Sequence, residues 1–292
     1  MKLTNVTGLP ETYVEVVKKF VNYTNHGNDL SVTQLIDSPK LVRLKMRHAD
    51  EIMEDVSDLF WSMLGTVAHT VLEQHSAVLD MAEERMVVEY EGVKLSGKFD
   101  AYHEGMVTDY KLTSVYSVLK ESKSDAWEQQ LNCYAYLIKQ AGHPVTGIQI
   151  FAMMRDWQKS KAKFDKGYPQ ASVKVITLKL WEDSFVEKFF RDRIMMHKAT
   201  FDAPDEFLPD CSNEEMWAQP DTYAVRIGTN KNAYRVFANK SMANDCLDTL
   251  TPDRRKVAII EHRPGKRTRC EEYCLCNRWC QQYKDYVDAQ EA

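Results

Sequence analysis

Apolar positions recur with two different periods along this chain, and the change of period divides it. Leu30-Ser31-Val32-Thr33-Gln34-Leu35-Ile36 is spaced as a short helix, with Ser31 placed to accept from the first-turn N–H groups. Ser38-Pro39 ends that element, and helical spacing restarts over Leu41 to His48. From Ala49 to about Ala82, the residues Ile52, Val56, Phe60, Leu64, Val67, Ala68 and Val71 keep helical spacing, with Gly65 inside as a break or a point of close approach. The period then drops to two. Met86 to Tyr90, Val93 to Tyr102 and Met106 to Leu112 read as strands, and His103-Glu104-Gly105 is a tight turn. Trp127 to Gln140 is helical again, Gly142-His143-Pro144 stops it, and Thr146 to Met154 suits a buried strand. Ser160 to Pro169 reads as a lysine-rich loop, Ser172 to Leu180 as a strand, and Trp181 to Thr200 as an amphipathic helix. Asp202 to Asp221, rich in Pro, Asp, Glu and Asn, reads as a surface connection. This order predicts an α/β fold, with a core over residues 1–200 and an accessory region over 201–292 that packs on it.

Composition narrows this picture only modestly. A chain of 292 residues at 44% hydrophobic buries a substantial core, and 11% aromatic with 28% charged residues argues against disorder. A net charge of −5 does not announce a nucleic-acid binder, although local patches rather than the total set the field in a cleft. No apolar run approaches the roughly 18 residues of a membrane span. The start Met1-Lys2-Leu3-Thr4-Asn5 lacks a signal-peptide core. Seven cysteines, clustered late, suit a reducing compartment and metal or cluster binding better than a disulfide framework. The expectation is a cytoplasmic protein without membrane partners.

Candidate chemistry centres on Gly97-Lys98-Phe99-Asp100 and Thr108-Asp109-Tyr110-Lys111. On a strand, Val107, Asp109 and Lys111 share one face. Two carboxylates beside an ammonium can hold a hard divalent cation, polarise a phosphate and orient a water. The same D-x-K triplet also arises by chance on solvated strand faces. His69 stands one helical turn before Glu73, either as a core histidine or as a nitrogen ligand. Gln130 and Tyr134 form a second four-residue pair, able to bind a nucleic-acid backbone or hold the lysine, or else lying at an ordinary interface.

The order of these elements is more telling than any one of them. Gly65 and His69 on a helix, Gly97 and Asp100 on a strand, Asp109 and Lys111 on the next strand, and Gln130 and Tyr134 on the following helix occur in succession. This succession resembles the RecB-like branch of the PD-(D/E)XK nuclease superfamily, in its phage-type or CRISPR-associated-exonuclease-like members. The resemblance covers about residues 30–160, with an echo at the late cysteines. It implies a restriction-endonuclease-like core, a central mixed β-sheet flanked by helices. It implies a DNA nuclease, an exonuclease in recombination, repair or phage DNA metabolism. Asp100, Asp109 and His69, with the Tyr110 carbonyl, would hold Mg²⁺ or Mn²⁺. Lys111 would orient the water, with Gln130 and Tyr134 beside it. A catalytically silent binding module and an RNA-directed nuclease share the same motifs. No Gly-x-x-x-x-Gly-Lys-Ser/Thr loop is present, so a helicase motor would be a partner.

Cys270, Cys274, Cys276 and Cys280 lie close together. Cluster-bearing relatives of this type pair one early cysteine with three late ones, and the early position here is Ser38. Three readings stand side by side: a local four-cysteine site for a [4Fe-4S] cluster, the same site for Zn²⁺, or reduced thiols packed against Trp279 and Tyr283. Basic residues gather at Lys40, Arg43, Lys45 and Arg47, at Lys159, Lys161, Lys163 and Lys166, and at Arg263, Lys266, Arg267 and Arg269. Each is a solvated face unless it rims the carboxylate site. Trp157 is positioned either to stack on an unpaired base or to pack inside.

Overall fold

Two turns lay out the central strands. Glu91-Gly92 and Glu104-Gly105 each have positive φ at both residues, the requirement of a two-residue hairpin turn whose twist matches its strands. Gly105, at φ 83°, takes the left-handed position that a side chain strains to reach. The computed structural model describes residues 2–21, 29–121 and 123–291, and the chain forms two compact units, Met1–Pro204 and Asp205–Ala292.

The first unit runs Lys2–Thr4 (β1), Glu11–Val21 (α1), Leu30–Ser31 (β2), Val32–Ile36 (α2), Pro39–Arg47 (α3), Met53–Asp55 (β3), Phe60–Glu73 (α4), Met81–Ala82 (β4), Arg85–Tyr90 (β5), Val93–Lys98 (β6), Ala101–His103 (β7), Met106–Thr113 (β8), Val115–Leu119 (α5), Ser124–Gln140 (α6), Gly147–Met154 (β9), Lys159–Phe164 (α7), Val173–Leu178 (β10) and Asp183–Lys198 (α8). Five strands form one mixed sheet in the order β10-β9-β8-β7-β4, with β8 and β9 parallel and the other neighbours antiparallel. A second sheet has the order β2-β6-β5. The core is built from Leu95, Phe99, Val107, Leu131, Leu137, Ile138, Ile148, Ile150 and Phe190. Strand β9 alternates half-buried and buried along its whole length.

Local chemistry explains the helix starts. Ser31 and Gln34 form a reciprocal capping box on α2, and Ser38 caps α3 with Pro39 at its first position. Arg193 and His197 of α8 both reach the Leu35 carbonyl (2.8 and 3.2 Å) at the end of α2.

Three expected elements change. Helical spacing over 49–82 yields a helix only from Phe60 to Glu73, because Met53–Asp55 pairs with β1 and Asp55 accepts from Val6 and Ser57 N–H to make a turn. The strand expected from Val93 to Tyr102 breaks at Phe99-Asp100, where the chain leaves one sheet and enters the other. The lysine-rich loop contains a helix, α7. At Gly65 α4 neither breaks nor approaches a neighbour, since no heavy atom lies within 4 Å of where a Cβ would stand.

The second unit contains Ala218–Gln219 (β11), Thr222–Ile227 (β12), Arg235–Phe237 (β13), Lys240–Asp248 (α9), Pro252–Lys256 (α10), Ala258–Arg263 (β14), Lys266–Arg267 (β15) and Gln281–Glu291 (α11). Strands β13-β12-β14 form an antiparallel sheet over which Val225, Ala243 and Cys246 make a small core. Among the described residues no helix is long and apolar enough to cross a membrane.

Candidate active site

Strand β8 presents Val107, Asp109 and Thr113 as buried positions with Lys111 half-buried, the same-face alternation expected for D-x-K. Asp109 is only 3% exposed. The Lys111 ammonium lies 2.7 Å from Asp109 Oδ2 and donates to Gln130 Oε1 at 3.1 Å, and Gln130 Nε2 donates to the Tyr134 hydroxyl at 3.0 Å. Helix α6 brings Gln130 and Tyr134 this close because Gly97 on β6 has no side chain. A Cβ there would stand 2.6 Å from Leu137 Cδ1 and 2.9 Å from Tyr134 Cδ1. The sequence-predicted pairs on β8 and α6 are therefore one connected network.

The break between β6 and β7 creates a second group. Asp100 Oδ2 accepts from the Tyr110 N–H at 2.6 Å, which ties the junction to β8. His69 reaches in from α4 with Nδ1 3.2 Å from Asp100 Oδ1 and 3.5 Å from Glu83 Oε1, while Nε2 lies 2.9 Å from the Tyr110 carbonyl. Hydrogen bonding to Asp100 and Glu83 raises the His69 imidazole to about 10, so the ring is a cation donating from both nitrogens in the absence of a metal. Burial raises the Asp109 carboxyl to about 6, against the pull of Lys111.

Glu83, which sequence reasoning missed, completes this group. It has φ 50° in the turn between β4 and β5, and its N–H donates to the Asp100 carbonyl at 3.0 Å. A left-handed glutamate in a short connection is a strained position of the kind that gathers at functional sites. Its other oxygen pairs with Lys98. Burial penalises its charge, yet hydrogen bonds from His69 and Lys98 hold its carboxyl below the usual value. The only sequence signal was the acidic pair Glu83-Glu84 closing the helix-to-strand connection.

Ligand atoms of His69, Glu83 and Asp100 all lie within 4.8 Å of one another, a group able to hold a metal ion. Asp109 stands outside it, turned to Lys111. The donor set fits a divalent cation. Glu83 Oε1 and Asp109 Oδ2 are buried oxygens without an aligned hydrogen bond: the His69 contact with Glu83 Oε1 is long, at 3.5 Å, and the Lys111 contact with Asp109 is an ion pair. Two carboxylates and an imidazole suit Mn²⁺ as well as Mg²⁺. With Nδ1 facing the carboxylates, the Tyr110 carbonyl orients the ring from the Nε2 side, as a partner behind a histidine ligand does.

The remaining candidates have surroundings of their own. All seven cysteines are reduced; Cys276 and Cys280 are buried and Cys270 and Cys274 half-buried. Among the described residues no three of their sulfurs gather within 4.8 Å. Burial, with Cys274 and Cys280 beside it, pushes the Cys270 thiol up to about 11. Of the first basic cluster, Lys40 is buried, Arg43 lies over the Phe201 ring, and Arg47 donates to the Thr200 and Phe201 carbonyls. Trp157 packs against the core and donates to the Pro169 carbonyl at 2.7 Å.

No protein-family model and no curated protein matches this chain. Two solved structures show limited similarity. One, described as SSO0001, is 16% identical over 63% of this chain and 84% of its own, with a TM-score of 0.42. The other, a proposed exonuclease from Eubacterium rectale, is 11% identical over 53% of this chain and 57% of its own, with a TM-score of 0.27. Likeness at this level carries no functional weight, so function is argued from the site.

Proposed function

We propose that this chain is a divalent-metal-dependent nuclease of the PD-(D/E)XK type, RecB-like, hydrolysing DNA phosphodiesters in the cytoplasm of a bacterial or phage-infected cell. One observation carries the reading: the His69, Glu83 and Asp100 group is tied to the Tyr110 backbone of strand β8, between Asp109 and Lys111 of the Lys111–Gln130 network. A divalent cation supplies charge neutralisation at the phosphate and acidifies water. His69 Nδ1, Glu83 and Asp100 would hold it, with Asp109 at the edge.

Lys111 does the complementary work. Pinned between Asp109 and Gln130, its ammonium is fixed in position before substrate arrives, so it stabilises developing phosphoryl charge without reorganising. It also orients the attacking water by donating to it. The Gln130 amide, itself anchored on Tyr134, limits the lysine to one direction.

The test incubates the protein with labelled single- and double-stranded DNA and RNA in Mg²⁺ or Mn²⁺, with EDTA as control. Cleavage should require metal and favour DNA. Asp109→Ala or Lys111→Ala should each lower the rate about 10³-fold while circular dichroism stays native. Full activity in either variant sinks the assignment. Strand binding without cleavage by the unmutated protein would instead make it a silent binding module.

A further inference from the structure

Trp61, Gly65 and His69 follow one another at four-residue spacing on α4, so they form one stripe along that helix. The stripe ends at the cation group through His69. At its other end Trp61 is 48% exposed, an unusual state for the largest aromatic side chain. Between them lies the empty space over Gly65, with no heavy atom within 4 Å of a Cβ position.

A cation covers the tryptophan. The Arg155 guanidinium sits 4.5 Å from the Trp61 ring centroid, and the Arg155 N–H donates to the Thr113 carbonyl at 2.9 Å. Thr113 is two residues beyond Lys111 on β8, about 7 Å along the strand. Among the described residues Arg155 has no carboxylate partner. The adjacent Asp156 carboxylate is turned onto the Val115 N–H at 2.7 Å.

We propose that the Trp61–Gly65–His69 stripe, with Arg155 at its outer end, is the track of an unpaired nucleic-acid strand leading to the cation group. This rests on the nuclease reading. An exposed indole beside an unneutralised guanidinium matches the needs of a single strand, whose bases offer a π-face and whose phosphates offer charge. Duplex bases hide that face in the stack. Gly65 keeps the floor of the track flat, which explains a helix-interior glycine that packs against nothing.

The test measures binding of a labelled oligothymidylate in EDTA, so that affinity is read without turnover. Trp61→Ala should weaken binding about tenfold, with Trp61→Phe recovering most of it. Replacing one base by an abasic unit should weaken binding to the unmutated protein but not to Trp61→Ala. Gly65→Leu should obstruct strand binding by a similar factor while its thermal midpoint does not fall, because the added side chain has room in the free protein. Unmutated affinity in both Trp61→Ala and Gly65→Leu, with cleavage intact, overturns the track and leaves the nuclease standing. Absence of both binding and cleavage in the unmutated protein removes the nuclease reading and the track with it.

Discussion

His69, Glu83 and Asp100 come from a helix, a turn and a strand junction, and their ligand atoms converge within 4.8 Å. Cys270, Cys274, Cys276 and Cys280 are near neighbours in the chain, and among the described residues no three of their sulfurs converge in that way. The difference lies in what holds each set. Backbone groups fix the first: the Tyr110 N–H on Asp100, the Tyr110 carbonyl on His69, and the Glu83 N–H on the Asp100 carbonyl. Of the cysteines only Cys270 lies within a single-turn helix, Arg269–Tyr273; Cys274 follows that turn, and Cys276 and Cys280, both buried, flank a second one, Asn277–Trp279. Proximity in sequence supplies thiols; convergence needs a scaffold that aims them.

Metal uptake tests this contrast with the largest expected effect. Titrating Mn²⁺ by calorimetry should show one site whose affinity falls about 10- to 100-fold in His69→Ala or Asp100→Ala and does not move in Cys270→Ser or Cys274→Ser. Iron or zinc retained after anaerobic purification, and lost in Cys274→Ser, would break the contrast.

Gly97→Ala probes the scaffold itself. The added methyl meets Leu137 and Tyr134, both buried, so stability should fall by about 1–3 kcal/mol in denaturant melts. Lys111 should lose its fixed Gln130 contact at the same time. A neutral Gly97→Ala would mean that α6 has slack and does not position the lysine.

A smaller effect comes from proton linkage at His69. Its imidazole is raised from 6.5 to about 10 by Asp100 and Glu83, so the protonated form stabilises the metal-free fold. That contribution is fully present below pH 6.5 and is lost as pH rises through about 10. Thermal midpoints of the metal-free protein should decline across this window and do so less in His69→Gln. Binding a cation at Nδ1 displaces the proton, so metal affinity should climb over the same range. A flat affinity profile would show that His69 is not a ligand.

Much of the site was legible before the fold. The period-two spacing of Val107, Asp109 and Lys111 gives their shared face, and the four-residue spacing of Gln130 and Tyr134 gives theirs. Glu83 was not legible, because its place depends on a left-handed turn and on a carbonyl from another strand. Trp157 was the tryptophan the sequence offered for stacking, yet it is tied to Pro169, while Trp61 is the one exposed beside Arg155. Ser31 was legible as a cap, since capping is settled within one turn of chain, whereas Ser38, read as the end of one helix, caps the start of the next. The expected helix over 49–82 was not, since Met53–Asp55 answers to a partner strand far away in sequence.

By itself the sequence determined what local periodicity and turn chemistry can fix: the Ser31 cap, the hairpin at Glu104-Gly105, and which residues of β8 share a face. Only the tertiary structure decided which ligands meet. Convergence of His69, Glu83 and Asp100 depends on hydrogen bonds between segments distant in the chain, and the order of residues along a strand or helix carries no record of those distances.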